Sequence, residues 1–388
     1  MTKKNKSKKF SFFINGKFDY TIIVVTVLLL CIGLIMLLSA SAPASLSETG
    51  DDSYQYIRKQ GLVAGIGIVM MIVLSKVDYR IFRKLKWLIY AICIALLVAV
   101  GFVGIGEGGA RRWINLFGFS FQPSEFAKIG FIIFYASLLS DMKESNRIKK
   151  LVPGFLFPLI FLIPIVISIY ILQNHFSATF IICAITLVQM FVAGTNLKYF
   201  FASAFVGIIG VLGFLLKAST SGGADDFRTS RIQTWLHLDE ANLTGDAWQI
   251  TQSLYAIGSG GLFGLGLGNS RQKYLYLPEP QNDFIFAVLA EELGFFGCIL
   301  VIFLFVLFVW RGIVIAIKAE DNFGTLIAIG ITTMIGLQAL INIAVVTNTM
   351  PVTGMPLPFF SYGGSAMLAD LIGVGILLSV SRNGKTSS

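Results

Sequence analysis

Residues 20–38 read YTIIVVTVLLLCIGLIMLL, nineteen positions without a charge. As a helix rising 1.5 Å per residue, such a run covers ~28 Å, close to the ~30 Å hydrocarbon thickness of a bilayer. It is long enough to stay in the protein as a signal anchor, and no cleavable signal peptide is expected. Apolar runs of similar length recur along the 388-residue chain, which is 55% hydrophobic and only 13% charged. A soluble protein carries about a quarter charged residues. The short alternating segments of a transmembrane barrel are absent.

Ten spans are predicted, at 20–41, 57–75, 87–105, 124–140, 152–172, 176–194, 200–217, 283–310, 324–346 and 364–381. The fold class is therefore an all-α polytopic membrane protein. A single ten-helix domain, 20–381, lies between a basic tail, 1–19, and a short tail, 382–388, with a large extracytoplasmic loop, 218–282, between helices seven and eight. Cys31, Cys93, Cys183 and Cys298 all fall in apolar runs and read as small core residues. Neither an internal repeat nor the paired broken helices of an inverted-repeat transporter is evident.

Basic residues orient the bundle. Six lysines lie in MTKKNKSKKFSFFINGK, five basic residues in KVDYRIFRKLK and four in DMKESNRIKK, all on one side if the spans alternate. By the positive-inside tendency that side is the cytoplasm, with both termini on it. The net charge of +9 thus reflects topology, and nucleic acid is a poor partner for basic residues scattered over juxtamembrane loops. The other side carries the irregular, aromatic and glycine-rich segments: 42–56, GEGGARRWINLFGFSFQPSEF (106–126), 218–282 and TNTMPVTGMPLPFFSYGGS (347–365). Such a face suggests a working surface at the outer leaflet. The last segment holds too much proline and glycine for a continuous helix, so protein must shelter it or it must line a cavity.

The segment LPEPQNDFIFAVLAEELGFFG (277–297) puts three carboxylates where they are costly. Pro278 and Pro280 set a helix start near Asn282 or Asp283. Asp283 then has two readings: a cap on an interfacial helix, or a partly desolvated general base. Glu291 and Glu292 are expected to be structural, orienting neighbouring helices. In GARRWINLFGFSFQPSEFAK (109–128), Arg111 and Arg112 beside the interfacial Trp113 suit phosphate oxygens. Glu125 and Lys128, at i and i+3, suit an ion pair. Arg228, Arg231, Arg271 and Lys273 accompany a glycine-rich tract, 258–268, that matches neither a Walker loop nor a Rossmann fingerprint. That tract reads as a flexible or re-entrant segment. His175 and His237 lack metal-ligand spacing and read as structural. Asp370, inside the last span, has no partner that the sequence names.

GARRWI, QPSEFAK, QSLYAIGSGGLFGLGLGNSRQKYLYLPE, NDFIFAVLAEELGFFG and NTMPVTGMPLPFFSYGGS occur in this order. Through them the chain, from Asp19 to Val380, resembles the SEDS family (shape, elongation, division and sporulation). The resemblance implies a ten-helix peptidoglycan glycosyltransferase of the bacterial cell membrane that polymerises lipid II at the outer leaflet. It places the family's essential acid on Asp283 as general base, and it likens the stretches holding Arg111, Arg112, Trp113, Glu125 and Lys128 to family elements. Substrate binding is the role expected for Arg111, Arg112, Lys128, Arg228, Arg231, Arg271 and Lys273. A divalent cation, Mg or Mn, is compatible with that chemistry. Implied partners are the nascent glycan strand, membrane lipids, a class B penicillin-binding protein transpeptidase and other division proteins. FDYTIIVVTVLLLCIGLIMLLSASAPAS (18–45) looks more like the family's division branch, at the septum, than its elongation branch. One departure is LQNHFSAT (172–179), where many relatives have a proline and an acid. Lipid II flipping and non-catalytic scaffolding are the competing functions.

Overall fold

The structure is a computed structural model describing residues 18–49, 52–106, 111–116, 119–202, 245–274 and 276–382, with positions 204, 205, 209, 213, 231, 234, 235, 238 and 384. Most of the expected seventh span, and most of the first part of the 218–282 loop, 218–244, including Arg228 and His237, lie outside the described residues.

The described helices are α1 (Tyr20–Thr49), α2 (Gln55–Lys76), α3 (Arg80–Lys84), α4 (Lys86–Val103), α5 (Pro123–Glu144), α6 (Phe157–Ile167), α7 (Phe176–Ala193), α8 (Gly245–Ser259), α9 (Ile285–Lys318), α10 (Asn322–Val346) and α11 (Gly364–Arg382). One turn of π-helix flanks α6 on each side, Val152–Leu156 and Ser168–Leu172, so the sixth element crosses as a single 21-residue span. Eight of the described helices are long and apolar enough to cross a membrane, and all eight coincide with expected spans. α5 occupies the expected fourth span, but Glu125, Lys128, Asp141 and Lys143 set it apart in composition.

The charged α5 lies at the centre. Eighteen of its 22 residues are buried, against α4, α7, α10 and α11. In a bilayer, helices gain no hydrophobic drive from one another, so close packing of small residues holds them. Gly67 of α2 shows this: a Cβ there would sit 2.4 Å from Leu371 Cδ1 of α11.

Charge-paired loops close one end of the bundle. Arg80 binds Asp321 and Glu320 at 2.9 Å each, Arg83 binds Asp141 at 2.6 Å and Glu144 at 2.8 Å, and Arg311 binds Asp19 at 2.7 Å. Both chain ends arrive here, since the Asp19 amide donates to Ser381 Oγ at 3.4 Å and the Arg382 guanidinium lies 4.0 Å from the Phe18 ring centroid. The basic loops thus share one end, as the alternation of spans requires.

Irregular chain occupies the opposite end. Strands β1 (Ile114–Leu116) and β2 (Phe119–Phe121) form an antiparallel hairpin pairing Ile114 with Phe121. Ser365 at the head of α11 accepts from the Gln122 amide at 2.9 Å and donates to Ser120 O at 3.1 Å, fixing the hairpin to the bundle. Residues 347–363 are non-helical, and Val352, Met355, Leu357, Phe359 and Phe360 within them are buried. Side chains meet the backbone needs of this segment: Ser361 Oγ accepts from Leu357 N at 2.8 Å and Gln60 Oε1 from Gly363 N at 3.3 Å. Protein shelters this stretch, as its composition demanded.

Candidate active site

Asp283 does not cap a helix. α9 begins at Ile285 behind Phe284, and residues 281–284 form a turn. The helix starts late because this turn is tied elsewhere: Tyr362 N donates to Gln281 O at 2.8 Å, and Asn342 Nδ2 donates to Asp283 O at 2.7 Å. The carboxylate is therefore carried on a braced turn just outside the membrane-spanning helix. It is partly buried, and no described residue donates a hydrogen bond to it. Gly354, at φ +64°, packs beside it, and a Cβ there would lie 3.4 Å from Asp283 Oδ2.

Burial, then the nearby Glu279 carboxylate, pushes Asp283 up from 3.8 to about 6, against the pull of Arg231 and Arg112. A carboxylate in that range is ionised at neutral pH yet basic enough to accept a proton. The two guanidiniums are tethered to backbone oxygens. Arg112 donates through Nε to Gln173 O at 3.2 Å and through Nη2 to Asn174 O at 2.6 Å, and Arg231 donates through Nη1 to Val352 O at 3.2 Å. Burial and the neighbouring Arg231 lower Arg112's hold on its proton, while Asp283 restores part of it. Two cations and two carboxylates, Asp283 and Glu279, thus share the irregular end of the bundle.

The other residues expected to bind substrate are placed differently. Arg111 is exposed and folds back onto the end of α4, donating to Gly101 O at 3.2 Å. Arg271 is exposed on the 270–276 turn. Lys128 departs from the expectation of substrate contact. Fully buried, its ammonium lies 2.7–2.8 Å from both oxygens of Glu125. Gln338, in the orientation that satisfies its amide, accepts from Lys128 Nζ at 2.6 Å. An ion pair sealed in the bundle core has no access to an outer-leaflet phosphate. Glu125 thereby forms the pair that its spacing predicted. Asp370 lies within electrostatic range of both members of that pair.

Lys273 is committed as well, with Nζ 2.8 Å from Glu292 Oε1 and 2.9 Å from Ser39 Oγ. Glu291 accepts from Ser270 Oγ at 2.5 Å and from the amides of Arg271 at 3.0 Å and Gln272 at 3.4 Å. Both glutamates are structural, but they anchor a loop more than neighbouring helices. Trp113 forms an isolated bridge with Ile105 beneath the hairpin. His175 is buried, and burial and the charges of Arg112 and Lys128 hold it well below its ordinary value; its Nδ1 has no hydrogen-bond partner among the described residues.

The expected eighth span is not one continuous helix. Gly294, at φ 65° and ψ −165°, breaks α9 into 285–293 and 295–318. Leu265 N donates to Glu291 O at 2.9 Å, Gly266 N to Glu292 O at 3.0 Å and Phe295 N to Gly261 O at 2.9 Å. The glycine-rich tract is thus re-entrant, supplying the partners that the broken helix lost. Only glycine allows this approach: a Cβ on Gly264 would sit 2.1 Å from Glu292 O, and one on Gly294 2.3 Å from Gly264 N.

Among the described residues no three His, Cys, Asp or Glu side chains group as metal ligands. Asp283 and Glu279, the carboxylates at the site, stand next to two guanidiniums. Among the described residues that donor set does not fit a resident divalent cation, and none of the chemistry below is routed through one. Sequence reasoning missed Asn342 and Gly354 as site residues. An amide inside the apolar run INIAVV (341–346) is itself a signal, since a polar group at that depth needs partners.

Comparison with known proteins agrees with this architecture. The sequence profile of the FtsW/RodA/SpoVE family, described as "Cell cycle protein", matches residues 20–386. Stage V sporulation protein E of Bacillus subtilis (strain 168) is 44% identical over 94% of this chain and 97% of its own length. The probable peptidoglycan glycosyltransferase FtsW of Trichlorobacter lovleyi is 38% identical, over 94% and 93% of the two chains. Among solved structures, a chain of a peptidoglycan synthase complex aligns with a TM-score of 0.76 at 25% identity, covering 94% of this chain and 98% of its own. Thermus thermophilus RodA aligns with a TM-score of 0.68 at 25% identity, over 95% and 98%. A profile match over nearly the whole chain, with relatives this similar from end to end, makes this polytopic membrane protein a member of the FtsW/RodA/SpoVE family.

Proposed function

We propose that the protein is a peptidoglycan glycosyltransferase that extends glycan strands from lipid II at the outer leaflet, with Asp283 as general base. The observation that carries this is one partly buried carboxylate, pushed up to about 6, in electrostatic range of two tethered guanidiniums, Arg112 and Arg231. The acceptor sugar hydroxyl gives its proton to Asp283 as its oxygen attacks the donor's anomeric carbon. The bond from that carbon to the pyrophosphate oxygen breaks, and the electron pair leaves on pyrophosphate, whose charge Arg112 and Arg231 stabilise. Attack opposite the leaving group gives a β-linked product without a covalent sugar intermediate. Curated relatives named as probable peptidoglycan glycosyltransferases support the reading. The test is polymerisation of labelled lipid II by the purified protein and by Asp283→Asn; equal glycan yield from the two would overturn the assignment.

The finer reading is a septal enzyme with ten spans and both termini cytoplasmic, acting with a class B penicillin-binding protein. Relatives carrying the FtsW name support a division-type role over RodA-type elongation. The solved relative from a complex that couples polymerization and crosslinking supports a transpeptidase partner. A fluorescent fusion spread evenly along the cell wall, without enrichment at septa, would overturn the septal role. Flipping of lipid II, the competing function, requires a polar path through the bilayer. The intramembrane charges Glu125, Lys128, Glu291, Glu292 and Asp370 are at most 2% exposed, and so favour the enzyme.

A further inference from the structure

Between Ser270 and Phe284 the described residues form turns and bends, and Asp283 stands near the far end of this segment. Both ends of this segment return to the same short half-helix, 285–293. One end continues into it covalently. The other hangs on Glu291, whose carboxylate takes Ser270 Oγ and the amides of Arg271 and Gln272, and on Glu292, which holds Lys273 Nζ and Ser270 N. The segment and the half-helix therefore close a ring, with Asp283 eight residues before its clasp.

A second link fixes the ring to the bundle. Ser39 of α1 donates to Glu292 Oε1 at 2.6 Å and accepts from Lys273 Nζ at 2.9 Å. Glu291, Glu292, Ser270 and Lys273 are all at most 4% exposed, where water cannot substitute for a lost partner. Glu291 is also the acceptor that satisfies the part-buried amides of Arg271 and Gln272, which lack a helix or strand partner.

We infer that Glu291 and the Ser39–Lys273–Glu292 link are positioning residues for Asp283: they clamp the turn that carries the carboxylate to the half-helix and to α1, and so set where its oxygens meet the acceptor hydroxyl. This rests on the glycosyltransferase reading, and it adds to the proposed site a clasp whose charges are committed to one another.

The experiment compares the purified full-length protein with Glu291→Gln, Lys273→Met and the double variant Lys273→Met/Glu292→Met. The lysine change alone leaves Glu292 buried and unpaired, so its loss of folded protein would not separate the two roles. The double variant removes both charges and keeps the bulk. It is expected to melt near the wild-type temperature yet to show kcat reduced at least tenfold, with KM within about twofold. Glu291→Gln, which places an amide donor against the loop's own donors, is expected to lower kcat similarly and to displace the acid limb of the pH–rate profile. Hydrogen exchange reads the clasp whatever reaction the protein performs, and the double variant should lose amide protection at 276–284 but not in α10. Wild-type kcat, or unchanged protection at 276–284, in a double variant that melts normally would overturn the inference. Equal activity of wild type and Asp283→Asn would instead overturn the glycosyltransferase reading, leaving the exchange result to decide the clasp.

Discussion

Asn342 Nδ2 lies 2.7 Å from the main-chain oxygen of Asp283, and the same nitrogen lies 2.7 Å from Met355 O. One amide near the C-terminal end of α10 thus joins the turn carrying the acid to the non-helical segment that packs against it. Asn342→Leu leaves both oxygens without this donor in a buried setting, a cost of about 1–3 kcal/mol. The expected outcome is a lower melting temperature together with a loss of kcat, read by a thermal melt and a lipid II polymerisation assay. Unchanged kcat would remove Asn342 from the site.

Asp283 gives a pH signature. Its folded value of about 6 lies above the ordinary 3.8, so the base is lost as pH falls through 6, and polymerisation should decline along an acid limb centred there. The effect on stability has the opposite sense. The folded state binds this proton more tightly than the unfolded chain, so the group's contribution to stability is complete below about pH 4, is lost as pH rises to 6 and stays lost above. Asp283→Asn should therefore abolish activity by at least ~100-fold while raising the melting temperature at pH 7.5. A mutant that is both inactive and less stable at that pH would contradict the burial that raises this group.

Charges around Asp283 should move that limb in opposite directions. Arg112→Gln or Arg231→Gln removes an opposing cation, so Asp283 holds its proton to higher pH and the limb shifts upward. Glu279→Gln removes a like charge and shifts it downward. Arg112→Lys is not a conservative rescue, because one ammonium cannot reproduce two guanidinium bonds to Gln173 O and Asn174 O. pH–rate profiles of the four variants test the signs directly.

The Glu125–Lys128 pair makes a different prediction. Lys128→Met strands a buried carboxylate and should cost ~3–5 kcal/mol, whereas Lys128→Met with Glu125→Leu should restore most of the stability. Thermal melts in detergent measure both. Full activity in the double variant would show the pair to be architectural, as its burial implies.

The helix break is tested by two glycines. Gly264→Ala forces a Cβ to within 2.1 Å of Glu292 O at φ +80°, so folded protein should be lost. Gly61→Ala in α2 meets nothing within 4 Å and should be tolerated or mildly stabilising. Yields after size-exclusion chromatography distinguish them.

Hydrophobic run lengths made nearly all the described spans legible, because crossing a bilayer fixes both length and polarity. Gly294 was hidden: LAEELGFFG (289–297) reads as unbroken helix, and only the incoming backbone of residues 261–266 shows why the glycine is there. Asp283 was legible as a costly carboxylate, but not its place before the cap, which Asn342 and Tyr362 set from distant parts of the chain. Lys128 and Lys273 were expected to bind substrate because a cation's full set of partners is invisible until the helices are packed. Spacing revealed the local Glu125 partner; nothing in sequence revealed Ser39 as the neighbour of Lys273, 234 positions away.

Packing of α2 against α11, with Gly67 under Leu371, also bears on how the molecule is made. These two helices lie about three hundred residues apart in the chain, so a segment inserted among the first must wait for one of the last before it finds its seat. Until translation ends, the groove over Gly67 faces lipid, and a product cut short before residue 364 would enter the membrane without its keystone.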